Sequence, residues 1–272
     1  MSDKAELIYE GKTYELPVIE GTENEKAIDI SKLRGQSGLI TMDPGYKNTG
    51  ATKSAITYLD GEKGILQYRG YSIEELAKKA SFVEVSYLLF YGELPNKTEL
   101  SAFEAKLAAN SKVDAGVEKI IAGFPSTAHP MAVLSAVVSS LTAFYPESLN
   151  PNASEEEVEL NMIRLLAQLP VIASWIYRIS KGLDVNQPTD KDYCSNFLEM
   201  MFKNGNETYQ VDPVVSEALN VLLILHAEHE QNCSTSTVRI VGSSHASLFS
   251  SVSAGISALW GPLHGGANQA VV

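Results

Sequence analysis

A dense group of polar side chains lies between residues 226 and 233, in the stretch ILHAEHEQNC. Two histidines, two carboxylates, two amides and a thiol follow directly on the apolar run NVLLIL. If VSEALNVLLILHAEHE continues as one helix through these residues, His226, His229 and Asn232 follow at intervals of three and share a face. The pattern therefore predicts a cluster of polar groups at the end of a buried helix. The hydroxyl run STSTV that follows is interpreted as a polar helix end or a loop.

Three interpretations of this cluster differ in the chemistry they assign. A metal site is disfavoured, because zinc proteases need two histidines four residues apart, and the match His226-x-Glu228 lacks the companion P-C-x-x-C of zinc deaminases. A substrate clamp is the second, since two imidazoles and an amide can donate several hydrogen bonds to an oxyanion. The third is a structural histidine bound by a neighbouring carboxylate, with His226 the stronger candidate. The residues alone leave the last two open.

A second group of interest is the segment ALWGPLHGGANQA. Gly261 and Pro262 end one predicted helix, His264 follows on a short turn, and Gly265 and Gly266 begin another helix. Paired glycines let backbone N–H groups approach a ligand, and a helix start favours negative charge. An imidazole there tends to stay neutral, and a neutral imidazole can donate to a carbonyl and stabilise an enolate. This predicts a functional role for His264; the alternative is an incidental histidine beside a glycine helix end.

The elements that must position these groups are mainly helical. From Ser72, a predicted N-cap with Glu75 as its capping-box partner, the pattern is helical as far as the final residues. Within the longest pattern, SEEEVELNMIRLLAQLPVIASWIYRISKG, Pro170 predicts a kink or a break. Before Ser72, AELIYEGKTYELPVIEG predicts a hairpin, and AITYLDGEKGILQYRG predicts two strands around Asp60-Gly61. We expect a mainly α fold, with a β-containing segment over residues 1–70 and a large helical domain over residues 71–272.

Composition excludes several classes of protein. The net charge of −12 disfavours a nucleic-acid partner or an anionic membrane surface. Two cysteines form neither a disulfide framework nor a zinc-finger spacing. The polar, acidic N-terminus differs from a signal or transit peptide, and no uninterrupted apolar run reaches about 18 residues. We therefore expect a cytoplasmic protein without a bound metal, a nucleic-acid partner or a membrane partner.

The two segments that carry the candidate functional residues resemble a known protein family. LILHAEHEQNCSTSTVRIVGSS and AGISALWGPLHGGAN resemble the citrate synthase family in its bacterial, oligomeric form. ITYLDGEKGILQYRGYSIEELA, FVEVSYLLFYGELP, HPMAVL and NFLEMMF match in family order, so the resemblance spans nearly the whole chain. It implies the large helical citrate synthase fold, assembled as a homodimer or as a hexamer built from three dimers. It also implies an acyltransferase that condenses oxaloacetate with acetyl-CoA and water to citrate and CoA, the first step of the tricarboxylic acid cycle, without a cofactor.

The resemblance also implies roles for particular residues. His264 matches the histidine that hydrogen-bonds the acetyl thioester carbonyl and stabilises the enol. His229 and Asn232 match groups that hold oxaloacetate, and His226 matches a supporting histidine of the same motif. The turn that lines the substrate pocket corresponds to Gly265, Gly266 and Ala267.

Two departures from the family pattern affect the expected activity and its control. Family members run well past 272 residues, and the remaining portion carries the carboxylate base, a second histidine and the arginines that bind oxaloacetate. We therefore expect this chain to be a fragment that is inactive alone. Some bacterial members are inhibited by NADH at a cationic site; Tyr145 and Arg164 match that site, but Gln168 stands where a basic residue belongs, which argues against NADH control.

Two alternatives to citrate synthase remain at this stage. One is 2-methylcitrate synthase, which condenses propionyl-CoA on the same scaffold. The other is a non-catalytic helical fragment that serves only in oligomerisation.

Overall fold

The fold is mainly helical, as predicted from the sequence. A computed structural model describes residues 3–46, 48–205 and 208–267, and helices predominate among them. The contacts divide the chain into two compact units, Met1–Ser54 and Ala55–Val272.

The first unit is built on the predicted N-terminal hairpin. Strands β1 (Lys4–Tyr9), β2 (Lys12–Glu20) and β3 (Lys26–Ile28) form an antiparallel sheet in that order, and helix α1 (Leu33–Ser37) packs against β2. Glu10 and Gly11 connect β1 to β2, both with positive φ, 50° and 75°. Two left-handed residues in a row are what a two-residue hairpin turn requires, because they match the twist of the flanking strands.

The second predicted pair of strands belongs to the second unit. Strands β4 (Thr57–Asp60), β5 (Ile65–Tyr68) and β6 (Tyr71–Ser72) form an antiparallel sheet, with the turn at Asp60-Gly61 as expected. The units divide after Ser54, whereas the expected division falls after residue 70. The difference is this sheet, which packs with the helices because Tyr68 is fully buried in one hydrophobic cluster with Leu76 and Leu88.

The remaining helices carry the rest of the second unit. They are α2 (Ile73–Lys79), α3 (Phe82–Tyr91), α4 (Lys97–Asn110), α5 (Ala115–Ala122), α6 (Pro130–Phe144), α7 (Glu155–Ser180), α8 (Tyr193–Phe202), α9 (Pro213–Leu225), α10 (Cys233–Gly242) and α11 (Leu248–Leu259). Local capping chemistry explains several ends. The Ser72 side chain accepts from the Glu75 amide at the start of α2, so the predicted N-cap is confirmed. The Glu75 carboxylate accepts from Lys79 at 2.7 Å and does not complete the predicted capping box. Gly92 ends α3 in the left-handed conformation.

Helix α7 runs unbroken for 26 residues with Pro170 inside it. Proline has no N–H, so the carbonyl of Leu166, four residues earlier, loses its helical donor. The Tyr193 hydroxyl on α8 donates to that carbonyl at 2.9 Å and replaces the lost bond. Of the two outcomes predicted for Pro170, the break is therefore wrong.

The length of α7 also bears on membranes. Among the described residues it is the one helix long and apolar enough to cross a bilayer by length and composition alone. This is weak evidence for a membrane span, because 56% of the most apolar stretch of α7 is buried within the protein, as in an ordinary core helix.

The main hydrophobic core lies between α5, α6, α7 and α11. Val137, Ile172, Trp175 and Phe249 are among its buried side chains. Helices α6 and α11 also bond through hydroxyl groups, since Ser253 Oγ donates to the Ser135 carbonyl at 2.7 Å. This core fixes α11, the helix that leads directly into the turn carrying His264.

A buried arginine closes the C-terminal end of α7. Arg178 is 3% exposed, and its guanidinium donates to the carbonyl oxygens of Asp184, Met201 (3.1 Å) and Lys203 (2.7 Å). The last two acceptors lie at the end of α8. One cationic side chain therefore ties the ends of two helices and the loop between them.

Candidate active site

The stretch HAEHEQN is not helical. Helix α9 ends at Leu225 and α10 begins at Cys233, so residues 226–232 form a connection between two helices. The prediction of one continuous helix with His226, His229 and Asn232 on a shared face is therefore wrong. The physical reason is the competing start of α10, whose N-cap is Asn232 with an extended backbone.

Asn232 organises the start of α10. Its Oδ1 accepts from the Thr235 amide at 2.9 Å and from the Ser234 hydroxyl at 2.6 Å, and its Nδ2 donates to the Glu230 carbonyl at 3.2 Å. Glu230 has a positive φ of 71°, the left-handed conformation of a tight turn. These bonds fix the orientation of the Asn232 amide, because Oδ1 must face the two donors.

His264 lies beside Ser234. The distance from His264 Nε2 to Ser234 Oγ is 3.1 Å. The hydroxyl hydrogen of Ser234 is directed to Asn232 Oδ1, so Ser234 accepts from an Nε2–H of His264. A chain of hydrogen bonds thus runs from Asn232 through Ser234 to His264 and joins two segments 30 residues apart.

The rings of His229 and His264 also lie close together, with centroids 5.8 Å apart. The structure therefore brings together His229, Asn232 and His264 out of the residues named from the sequence. It gives His226 a different contact: His226 Nδ1 lies 2.8 Å from the Leu222 carbonyl at the end of α9. Bonding that carbonyl requires an Nδ1–H. The contact is structural, but His226 is exposed and its partner is a backbone carbonyl, whereas the sequence suggested a neighbouring carboxylate.

Ser234 is the member of this group that the sequence did not single out. It stands in the run STSTV, which was interpreted as a helix end, and it does occupy the first turn of α10. The available signal for Ser234 was its position two residues after the N-cap asparagine, because a hydroxyl there can reach the oxygen of the cap side chain. Its contact with His264 depends on tertiary packing and left no trace in the local sequence.

The glycines after His264 serve close packing within their own turn. A Cβ on Gly265 would lie 2.7 Å from the Leu259 carbonyl oxygen, and a Cβ on Gly266 would lie 2.8 Å from the carbonyl oxygens of Gly261 and Trp260. The Gly266 amide donates to the Gly261 carbonyl at 3.1 Å. The backbone that these glycines allow to approach is thus the end of α11.

The amide of Ala267 is also bonded within this turn. Ala267 N donates to the His264 carbonyl at 3.0 Å. What Gly266 and Ala267 could offer a substrate is therefore the shape of the turn that carries His264.

One carboxyl group beside the site has a shifted pKa. Burial raises the pKa of Glu228 above its usual value, and hydrogen bonds from the amides of Glu230 and His229 oppose that shift. Over the described ranges, no group of three or more His, Cys, Asp or Glu side chains is arranged to hold a metal ion.

The candidate regulatory residues form a separate cluster. The Arg164 guanidinium lies 4.1 Å above the Tyr145 ring, and its Nη1 donates to Glu147 Oε1 at 2.7 Å and to Asn161 Oδ1 at 3.0 Å. Gln168 Nε2 donates to the Tyr145 hydroxyl at 2.6 Å. The structure thus brings Tyr145 and Arg164 together, with the arginine charge paired by a carboxylate.

Comparison with known proteins gives consistent results for sequence and fold. The profile of the family described as citrate synthase, C-terminal domain, matches residues 45–272. Citrate synthase 1 of Mycobacterium tuberculosis, in strains CDC 1551 / Oshkosh and ATCC 25618 / H37Rv, is 49% identical over 271 residues, which are 99% of this chain and 63% of the relative.

Solved structures agree. The crystal structure of citrate synthase from Pyrobaculum aerophilum matches with a TM-score of 0.77 and 38% identity over 87% of this chain and 61% of that one. Citrate synthase from Thermotoga maritima MSB8 matches at 0.72 and 33%, over 85% and 59%. A ternary complex of carboxymethyl coenzyme A and oxaloacetate with the Thermoplasma acidophilum citrate synthase matches at 0.77 and 27%, over 85% and 59%.

These findings confirm the resemblance seen in the sequence. The chain spans 63% of the length of the curated relatives. Neither 2-methylcitrate synthase nor a non-catalytic helical module is favoured by them. On the match of the family profile over residues 45–272, together with the helical fold and the His229–Ser234–His264 geometry, this chain belongs to the citrate synthase family.

Proposed function

We propose that this chain contributes the substrate-binding histidines of an enzyme that condenses oxaloacetate with acetyl-CoA to give citrate and CoA. The observation that carries the proposal is the hydrogen-bonded chain from Asn232 through Ser234 to His264, with the His229 ring 5.8 Å from that of His264. It supports the proposal because it brings the imidazoles of His229 and His264 close together, and an acyl transfer to a 2-oxo acid needs donors to the oxygens of both reactants.

His264 is the residue assigned to the acetyl thioester. The methyl proton of a thioester is weakly acidic, so stabilisation of the developing enolate must supply much of the catalysis. A neutral imidazole N–H directed at the thioester oxygen supplies it without a change in net charge. In the present geometry the ring hydrogen of neutral His264 is on Nε2, facing Ser234.

Donation to the thioester from Nδ1 therefore needs a change of tautomer. In this change Nε2 of His264 releases its proton to water and Nδ1 takes a proton from water, so the charge of the ring is unchanged. Ser234 would then turn its hydroxyl hydrogen from Asn232 to Nε2 and hold the ring with its hydrogen on Nδ1. Asn232 Oδ1 keeps the Thr235 amide as a donor during this change, so α10 retains its N-cap. Ser234 is thereby a positioning residue that selects which nitrogen of His264 donates.

His229 and Asn232 are the residues assigned to oxaloacetate, with His226 supporting the turn between the helices. Oxaloacetate is a dianion with a 2-oxo group, and imidazole and amide N–H groups are suitable donors to both kinds of oxygen. His229 is exposed beside His264, which leaves its ring accessible to a ligand. Gly265, Gly266 and Ala267 would shape the adjacent wall.

Calorimetry with oxaloacetate tests this assignment. We expect saturable binding by the whole protein in which this chain is unaltered, and roughly 10- to 100-fold weaker binding by His229→Ala, because a hydrogen bond to a charged ligand group is lost. His245→Asn is the matched control: His245 is an exposed histidine with a φ of 60°, a conformation that Asn tolerates. Absence of oxaloacetate binding by the unaltered whole protein, or equal affinities of the two variants, would contradict the proposal.

The wider properties of the enzyme rest on family membership. We propose that the whole protein assembles as a homodimer or as a hexamer of three dimers, acts in the cytoplasm, and uses acetyl-CoA as a substrate without a further cofactor.

Regulation by NADH is not expected at Tyr145 and Arg164. Glu147 pairs with Arg164 at 2.7 Å, so the arginine charge is neutralised before an anionic nucleotide could use it. A fluorescence titration with NADH should give no saturable signal. Glu147→Gln removes the competing carboxylate and should give binding stronger than that of the unaltered chain, with Glu155→Gln on the exposed start of α7 as the control. Saturable binding of NADH to the unaltered chain would overturn this expectation.

A further inference from the structure

Tyr68 links the second β-sheet to the histidine-bearing connection. The residue ends β5, and its side chain is 0% exposed. Its hydroxyl donates to the carbonyl of Ile224 at 3.0 Å and accepts from the amide of Glu228 at 3.2 Å. These two partners lie 156 and 160 residues further along the chain. One side-chain oxygen therefore spans the end of α9 and the first part of the connection.

Both functions of the hydroxyl are needed at this position. A carbonyl requires a donor and an amide requires an acceptor, and the tyrosine hydroxyl supplies both through one atom. The Ile224 carbonyl has a second donor, the Ala227 amide at 3.2 Å, so it stays bonded without Tyr68. For the half-buried Glu228, the tyrosine hydroxyl is the acceptor found for the backbone N–H. Removal of the hydroxyl would therefore mainly deprive the Glu228 amide of its hydrogen-bond acceptor.

The ring of Tyr68 makes this contact a fixed point. It packs in the hydrophobic cluster that includes Leu76, Leu88 and Ile224, so its hydroxyl is held by the core. Burial also raises the pKa of the Tyr68 phenol, so the group keeps its hydrogen throughout the neutral range. The connection over residues 226–232 is then fixed at one end by Tyr68 and at the other by the Asn232 cap, and His229 lies between them.

We propose that Tyr68 is a positioning residue for the 2-oxo dicarboxylate substrate: through the Glu228 amide its hydroxyl holds the backbone next to His229 in the conformation that receives the ligand. The inference rests on the proposed function, since it assigns oxaloacetate to His229. It extends the site to the β5 strand, whose Tyr68 acts on the ligand through the backbone of the connection.

Tyr68→Phe removes the hydroxyl alone, and Tyr71→Phe is the matched control. Tyr71 pairs with Tyr68 in the same sheet but is partly exposed. Oxaloacetate affinity is measured by calorimetry well below the unfolding midpoint of each variant, so that a general loss of stability does not enter. We expect roughly tenfold weaker binding by Tyr68→Phe and a change of less than about twofold for Tyr71→Phe.

Amide hydrogen exchange in the unaltered chain supplies a second test that needs no variant. The Glu228 amide should exchange roughly tenfold or more slowly than the amide of exposed Gln231, and this difference should shrink in Tyr68→Phe. Unchanged oxaloacetate affinity in Tyr68→Phe, or a Glu228 amide without protection, would overturn the inference while the proposed function stands. Failure of the unaltered whole protein to bind oxaloacetate would overturn the proposed function, and this inference with it.

Discussion

A chain carrying Arg178→Ala is expected to lose about 3–5 kcal/mol of its free energy of unfolding. Arg178 is almost fully buried and donates to three carbonyl oxygens, those of Asp184, Met201 and Lys203. Alanine leaves these acceptors with fewer donors inside the protein and also removes the packed aliphatic stem. Urea unfolding at pH 7, followed by circular dichroism, measures the change.

Two comparison variants separate the causes. Lys181→Ala, at the exposed end of the same helix, should change the unfolding free energy by less than about 0.5 kcal/mol. Arg178→Lys keeps the charge but not the guanidinium fork, so it should recover only a part of the loss. An Arg178→Ala chain as stable as the Lys181→Ala chain would show that water replaces the guanidinium without cost.

A large effect on the rate of catalysis is expected from Gly266→Ala. The added Cβ would lie 2.8 Å from the carbonyl oxygens of Gly261 and Trp260, and backbone atoms cannot rotate away as a side chain can. The turn must therefore shift and carry His264 away from Ser234. A displacement of about 1 Å at a catalytic group can lower the rate about 100-fold, so we expect CoA release by the whole protein to fall by about that factor.

Gly61→Ala is the control for this substitution. The position of its Cβ is open space, with no heavy atom within 4 Å, and its φ is not positive. It should be neutral or stabilising by about 0.4–1 kcal/mol, because alanine restricts the unfolded chain. Gly266→Ala with full activity and an unchanged His264 ring signal in NMR would show that the end of α11 can yield to a methyl group.

Local chemistry explains what the sequence predicted correctly. The N-cap Ser72 and the two hairpins depend on residues within a few positions of one another. The connection at residues 226–232 was mistaken for helix because the apolar periodicity of α9 was extended past Leu225. Asn232 is stabilised as an N-cap because it begins a separate helix, α10. The apolar pattern did not distinguish α10 from α9.

The Ser234–His264 contact could not be predicted from the same information, because it depends on how closely two helices pack. A Cβ on Gly255 of α11 would lie 2.6 Å from Val238 Cγ2 of α10, so this glycine allows the approach that sets Ser234 beside His264. Periodicity identifies both helices as partners for a core but does not give the distance between their axes.

The Tyr193 hydroxyl at the Leu166 carbonyl has a consequence for how this sequence can change. With Pro170 present, the phenol is the donor that replaces the missing helical bond. Tyr193→Phe alone would therefore leave the Leu166 carbonyl without that donor, which destabilises the folded chain. Once Pro170 is exchanged for a residue with an N–H, the helix supplies its own donor and the phenol becomes dispensable. The two positions are therefore coupled in order: the proline must be lost before the tyrosine can be.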